Sequence, residues 1–241
     1  MAHYALIGGG RLARHMHHYL TLLNQPVSAW ARNADCALNS HSIDDPRLRL
    51  RATIEPASHV LLLVSDAAIP EVVAKFPFLH EKRLVHCAGA FSFPGIAGAH
   101  PLMTFSEPLY ELQQYREMPF IVERGSRFDE LLPGLPNPHF EIAPEDKARY
   151  HALCVVAGNF SQILWDAVAT RFEGMGLRAA ALEPYLRRVA ENFIAARGAA
   201  LTGPLSRGDS ATIQRNLDAL SGDRLQGLYR AFLGFHAEAQ S

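Results

Sequence analysis

Residues 4–13 of this chain read Tyr-Ala-Leu-Ile-Gly-Gly-Gly-Arg-Leu-Ala, and few folds accommodate that order. The apolar run Tyr4 to Ile7 suits a strand buried in the centre of a parallel sheet. It passes directly into a G-x-G-x-x-A pattern, Gly8-Gly9-Gly10-Arg11-Leu12-Ala13, and then into a helical segment, Leu12 to Leu23. Each position has a physical task. Gly8 permits the tight turn out of the strand, and Gly10 lets backbone approach a pyrophosphate closely. Ala13 keeps the following helix near the sheet, and the positive helix N-terminus faces the phosphates. A glycine-rich turn without a ligand is the alternative, and the placement between strand and helix argues against it.

Composition narrows the function classes. Of the 241 residues, 49% are apolar and 20% charged, which is ordinary for a globular protein long enough to bury a sizeable core. The net charge of −1 gives no bulk attraction to nucleic acid or to anionic membranes. Cys36, Cys87 and Cys154 are odd in number and form no CxxC pair, as expected of reduced thiols. With no apolar run near the ~20 residues of a membrane span and no signal peptide, a cytoplasmic location and no membrane partner are expected.

Pro26 to Ala31 reads as the second strand, ending at Arg32-Asn33, where a Rossmann unit meets the adenosine ribose. An NAD site usually places a carboxylate there; this chain has Arg32, 22 residues after Gly10. A guanidinium can grip a 2′-phosphate in bidentate fashion, and Arg11 adds a second positive charge, so NADP is the expected cofactor. In the poorly patterned stretch 34–57, the alternating Arg47, Arg49 and Arg51 suit one face of a short edge strand. His59 to Val64 is a buried strand ending at Ser65-Asp66, with Asp66 placed to N-cap a helix from Ala67 to Phe76. Arg83 to Cys87 is the next strand, and its small-residue loop Ala88-Gly89-Ala90 leaves room for a nicotinamide ring. Gly98 to Phe105, Pro119 to Val122 and His139 to Ala143 complete the expected strands, with Leu132 to Pro138 a loop.

At Pro144 the character changes. Pro144 followed by Glu145 and Asp146 opens a helix to about Phe172, and Glu183–Arg197, Asp209–Leu220 and Arg224–Ala239 are further helices. The expected organisation is an α/β Rossmann-like domain over residues 1–143 and an all-α domain over 144–241. On the first of these helices Lys147, His151, Asn159 and Gln162 fall within an arc of about 120°, with Gly158 among them. Their apolar surroundings, Leu153 to Ala157, predict a buried segment whose polar groups face a ligand or a satisfied polar network. In the turn Leu201 to Asp209, Thr202 and Arg207 are candidates for a substrate carboxylate, and Asp209 for the next helix cap. Twelve histidines raise metal binding, with His15 and His18 on one helix face. No HExxH or third ligand at a diagnostic spacing supports it, so surface histidines and no metal are expected.

These pieces occur in a familiar order: Gly8-Gly9-Gly10-Arg11, Ser65-Asp66-Ala67-Ala68-Ile69, His86-Cys87-Ala88-Gly89-Ala90, His100 to Phe105, Lys147 to Asn159, and Leu201 to Asp209. Together they resemble the Rossmann-like proteins whose C-terminal helical domain is of unknown function. That family is similar in architecture to pyrroline-5-carboxylate reductase, ketopantoate reductase and the 6-phosphogluconate and hydroxyisobutyrate dehydrogenases. The resemblance implies a helical dimerisation domain, a homodimer, and an active site between the two domains. Ketopantoate becomes a reasonable substrate, because some branches resemble alternative ketopantoate reductases. One departure stands out. The 2-hydroxyacid relatives place Asn four residues after their Lys, whereas here His151 follows Lys147 by four and the next Asn is Asn159.

The expected function is NADPH-dependent reduction of a small keto or imino acid. His151 is the first candidate proton donor and Lys147 the second. Asn159 orients the acceptor, His100 lines the cleft, and Arg207 with Thr202 holds the carboxylate. Gly8, Gly9, Gly10, Arg11, Leu12, Arg32, Asn33, Ser65, Asp66, Ala88 and Gly89 form the expected cofactor surface. A non-catalytic NADP(H)-binding sensor is the alternative, with the same glycines and no turnover.

Overall fold

The structure, a computed structural model, describes residues 2–238. In chain order its strands are β1 (Tyr4–Ile7), β2 (Val27–Trp30), β3 (His59–Leu62), β4 (Arg83–His86), β5 (Ala97–Pro101), β6 (Phe120–Glu123) and β7 (His139–Ile142). The helices of the first half are α1 (Arg11–Leu22), α2 (Pro46–Ile54), α3 (Ile69–Lys75), α4 (Leu112–Glu117) and α5 (Phe128–Leu131). Those of the second half are α6 (Lys147–Val155), α7 (Ser161–Gly174), α8 (Glu183–Ala196), α9 (Pro204–Arg207), α10 (Ser210–Ala219) and α11 (Arg224–Glu238). Ala239, the expected end of the last helix, lies outside the described residues. The α/β Rossmann-like sheet followed by helices is the architecture that the sequence predicts.

The strands form one sheet in the order β2-β1-β3-β4-β5-β6-β7. Strands β1 to β5 run parallel, β6 runs antiparallel to β5, and β7 is parallel to β6. The order reverses between β1 and β3, which is the switch point where open α/β sheets hold ligands. β1 is buried along its whole length and feeds both faces. Tyr4 and Leu6 pack with Met16, Tyr19 and Leu20 of α1, while Ala5 and Ile7 pack with Leu50 and Ile54 of α2 and with Ile69 and Val73 of α3. Period-2 alternation in a strand buried on both sides accounts for that division. Each fully buried Leu or Ile there contributes about 1.5–3 kcal/mol.

The stretch 34–57 departs from expectation: it holds helix α2 where an edge strand was predicted. The Asp45 carboxylate accepts hydrogen bonds from the Arg47 and Leu48 amides at 2.7 and 3.0 Å, and Pro46 occupies the first turn. That start signal outweighs the arginine alternation. On a helix Arg47 and Arg51 share one side, both guanidiniums lying over the Phe78 ring, while Arg49 turns inward and is buried. Asp66 is a second correction. It begins a 3-10 turn, Asp66–Ala68, and α3 starts after it without a side-chain cap.

The chain divides into two compact units, Met1–Leu164 and Trp165–Ser241, so the division falls inside a long helix beyond the end of the sheet. That helix begins with a 3-10 turn at Pro144–Asp146 and contains a π-helical turn at Val156–Phe160 between α6 and α7. The predicted burial of its middle is overturned. Leu153, Val156, Phe160 and Ile163 are 52–66% exposed. Pro144–Gly174 is also long and apolar enough to cross a membrane by length and composition alone. In the second unit Arg171 of α7 makes a bidentate ion pair with Asp223, in the turn between α10 and α11, at 2.6 and 2.7 Å. Asp209 caps α10 by accepting from the Thr212 amide at 3.0 Å, as the sequence predicts.

Candidate functional site

The expected cofactor residues gather at the carboxyl ends of β1 to β4. Gly8 has φ +151°, and a Cβ there would run into the Leu63 carbonyl at the end of β3, so the close approach of two backbones requires glycine. A Cβ at Gly9 would press on the Ala31 methyl and the Cys36 sulfur, each 3.1 Å away, whereas the space around Gly10 is open. Gly10 is the N-cap of α1 and brings no side-chain cap, which leaves the first amides of a 12-residue helix free to receive an anion. Arg11 and Arg32 are exposed, and Arg32 has no carboxylate partner among the described residues. Its backbone is held from below: the buried Arg49 donates to the carbonyls of Ile43 at 2.7 Å, Ala31 at 3.4 Å and Arg32 at 3.5 Å. Asn33 accepts from the Asp35 amide at 3.1 Å. Ser65 is exposed and Asp66 half-buried at the end of β3, and burial raises the Asp66 carboxyl above its usual range despite His151 and Lys147.

After β4 the chain passes through buried Ala88 and Gly89. A Cβ at Gly89 would lie 2.5 Å from His151 Cδ2 and 3.0 Å from His100 Nε2, so two imidazoles close over bare backbone. Their ring centroids are 5.9 Å apart. His100 Nδ1 is hydrogen-bonded to the Tyr150 hydroxyl at 2.8 Å. Burial, with His151 and Lys147 adding to it, draws His100 down to about 4, so its ring is neutral at pH 7. Burial likewise raises the Tyr150 hydroxyl above its ordinary value. Burial pushes the Cys87 thiol up to about 12.

Lys147 sits one turn before His151 and is buried, with its ammonium 3.1 Å from Glu123 Oε1. His86 completes this group. Its Nδ1 accepts from the Ala88 amide at 3.2 Å, so a neutral ring carries its proton on Nε2, which has no hydrogen-bond partner and lies 3.9 Å from Glu123. Burial and then Lys147 lower His86 to about 4, against the pull of Glu123.

The first unit thus brings together Asp66, Gly89, His100, Lys147 and His151 from the expected set. Asn159 is not among them. It is exposed within the π-helical turn, where the α-helical winding is broken. Thr202 and Arg207 belong to the second unit, where both are exposed and Arg207 lines a cleft with Arg197 and His236. Sequence reading passed over Glu123, His86 and Tyr150 as site residues. It also erred in treating His15 as a surface group: His15 is buried, donating from Nε2 to the Ser106 carbonyl and accepting the Tyr115 hydroxyl proton at Nδ1, both at 2.8 Å. No cluster of metal-ligating side chains occurs among the described residues.

Residues 125–233 match the family described as DUF2520, a domain of unknown function. The matched region holds Lys147 and His151 and begins after the glycine loop, His100 and Glu123. This agrees with the C-terminal domain of unknown function that the sequence resembles. No curated protein matches the chain. Among solved structures, a Bacteroides fragilis protein provisionally named an NADP oxidoreductase is 21% identical over 98% of both chains, with a TM-score of 0.75. An imine reductase from Streptomyces aurantiacus is 17% identical over 98% of this chain and 93% of its own, with a TM-score of 0.65. Pyrroline carboxylate reductase from Plasmodium falciparum, solved with NADP bound, is 11% identical over 99% and 98%, with a TM-score of 0.61. At these identities the likeness is one of fold, and the fold is that of Rossmann reductases.

Proposed function

We propose that this protein is an NADPH-dependent reductase of a small keto or imino acid, with ketopantoate and pyrroline-5-carboxylate the first substrates to consider. The observation that carries the reading is the bare backbone at Gly89 walled by His100 and His151, at the carboxyl end of the sheet beside the glycine loop. The fold neighbours add support, since an imine reductase and an NADP-bound pyrroline carboxylate reductase are among them.

The residues present fit the cofactor. Gly8, Gly9, Gly10, Arg11 and Leu12 offer uncapped helix amides to a pyrophosphate, and Arg32 with Asn33 offers an unpaired cation to a 2′-phosphate. Ser65, Asp66, Ala88 and Gly89 continue that surface toward the histidines. When bound, NADPH supplies a hydride; the protein must orient the acceptor and provide a proton. His151 donates that proton to the developing alkoxide or amine, with His100 shaping the wall opposite. Thr202 and Arg207, exposed in the second unit, are the residues offered to a carboxylate. The exposed apolar side of the long helix, and Phe193, Ile194, Phe232 and Phe235 in the second unit, are the surface that a second copy buries, making a homodimer in the cytoplasm.

Titration with NADPH and then a screen of small keto and imino acids for NADPH oxidation tests the reading. Turnover of at least one acid is expected. Tight NADPH binding with no turnover across the screen assigns the protein instead as an NADP(H)-binding sensor.

A further inference from the structure

The groups around Lys147 are polar, buried and gathered over a residue with no side chain. His86 at the end of β4 pairs with Gly98 of β5, and the antiparallel register of β5 with β6 brings Glu123 opposite Gly98. The three positions form one row across the sheet. The space above Gly98 is where the Lys147 ammonium enters from α6: a methyl there would stand 2.6 Å from Nζ, 2.9 Å from Glu123 Oε1 and 3.1 Å from His86 Cε1. The Lys147 and Glu123 side chains are 4% and 17% exposed.

We propose that Glu123 is the positioning residue of this site: with the space left by Gly98 it seats the Lys147 ammonium as a fixed charge beside His100, so that Lys147 orders the site and does not hand a proton to the ligand. The nature of that ligand rests on the reductase reading; the seat does not. Energetics favour the assignment. A lysine that released its proton here would leave the Glu123 carboxylate half-buried without its partner, and breaking a buried pair is costly. The charge is also felt around it. Facing Lys147 are Asp66 after β3, His86 and Cys87 at the end of β4, His100 on β5 and Glu123 on β6, with Tyr150 and His151 on its own helix. His86 and His100 are both held neutral at pH 7, in part by this ammonium.

His100 is the reporter, because burial, His151 and Lys147 act on it. The experiment is a pH titration of histidine-labelled full-length protein followed by nitrogen NMR, with no cofactor or substrate added. The His100 ring is expected to stay neutral down to about pH 4 in the unmodified protein. Lys147→Met should raise its midpoint by about one unit, a tenfold gain in proton affinity. Glu123→Gln should raise it as well, because an ammonium without its seat loses its charge or leaves the site. Removing a carboxylate can by itself only lower a histidine's proton affinity, so an upward shift is the signature of the lost ammonium. Glu123→Asp, which keeps the charge, should return the midpoint toward the original value. Unchanged His15 signals, from a ring bonded to Tyr115 and Ser106, certify that the fold is intact. Gly98→Ala keeps every charge and displaces Nζ, so it should raise the midpoint too, and it serves where Glu123→Gln does not fold. A His100 midpoint that is unchanged or lowered in a folded Glu123→Gln or Gly98→Ala variant overturns the proposal. Failure of this titration leaves the reductase reading standing, and absence of turnover leaves the seat standing.

Discussion

Gly8 and Glu123 mark the two ends of what single residues reveal. Gly8 is legible because the need is local: the strand Tyr4–Ile7 must turn sharply, and the turn comes against the Leu63 carbonyl. Glu123 is one acid at the end of Phe-Ile-Val-Glu, and nothing local separates it from a solvated carboxylate. It acquires meaning because β6 runs antiparallel to β5 and delivers it opposite Gly98, a pairing that short-range pattern does not carry. Arg32 lies between these cases. Its place at the end of β2 was readable, but Arg49, which holds the Arg32 carbonyl, was assigned to an edge strand. For Arg32 the expectation is at least tenfold tighter binding of NADPH than NADH, about 1.4 kcal/mol, measured by titrating both. Arg32→Ala should remove most of that difference, and equal affinities in the unmodified protein would refute the assignment.

Helix α2 shows why element type was misread in one place and right in most others. Strands such as β1 and β3 announce themselves by apolar runs, while α2 buries only Arg49, Leu50, Thr53 and Ile54 and carries a weakly amphipathic pattern. Its identity rests on Asp45 and Pro46, a start signal two residues long. Asp45→Ala should therefore lower the midpoint of chemical denaturation with the slope unchanged; no change would mean that the cap contributes nothing. The long helix teaches the converse. Its existence was plain, but burial and angular register were not. The π-helical turn at Val156–Phe160 breaks the α-helical winding that the arc of Lys147, His151, Asn159 and Gln162 assumed, and the apolar side stays exposed in one copy of the chain.

At the scale of the whole molecule, that exposed surface predicts association. Sedimentation at micromolar concentration should show a species near twice the 26.6 kDa of one chain, and a clean monomer would contradict the homodimer. The buried histidines predict an acid limit to stability. His86 and His100 are drawn to about 4 when folded, against about 6.5 unfolded, so the unfolded chain binds more protons between those values. Stability is then complete above pH 6.5 and falls as pH drops toward 4, by about 3 kcal/mol from His86 alone. Thermal melts across that window should show the fall; a flat profile would mean that these rings accept protons in the folded state. The reductase reading itself is tested most directly by NADPH oxidation with ketopantoate and pyrroline-5-carboxylate, comparing the unmodified protein with His151→Ala. Turnover of one of these acids is predicted, lowered 10²- to 10⁴-fold in the variant while NADPH affinity stays the same. Full activity in His151→Ala, or tight NADPH binding with neither acid reduced, would contradict the account.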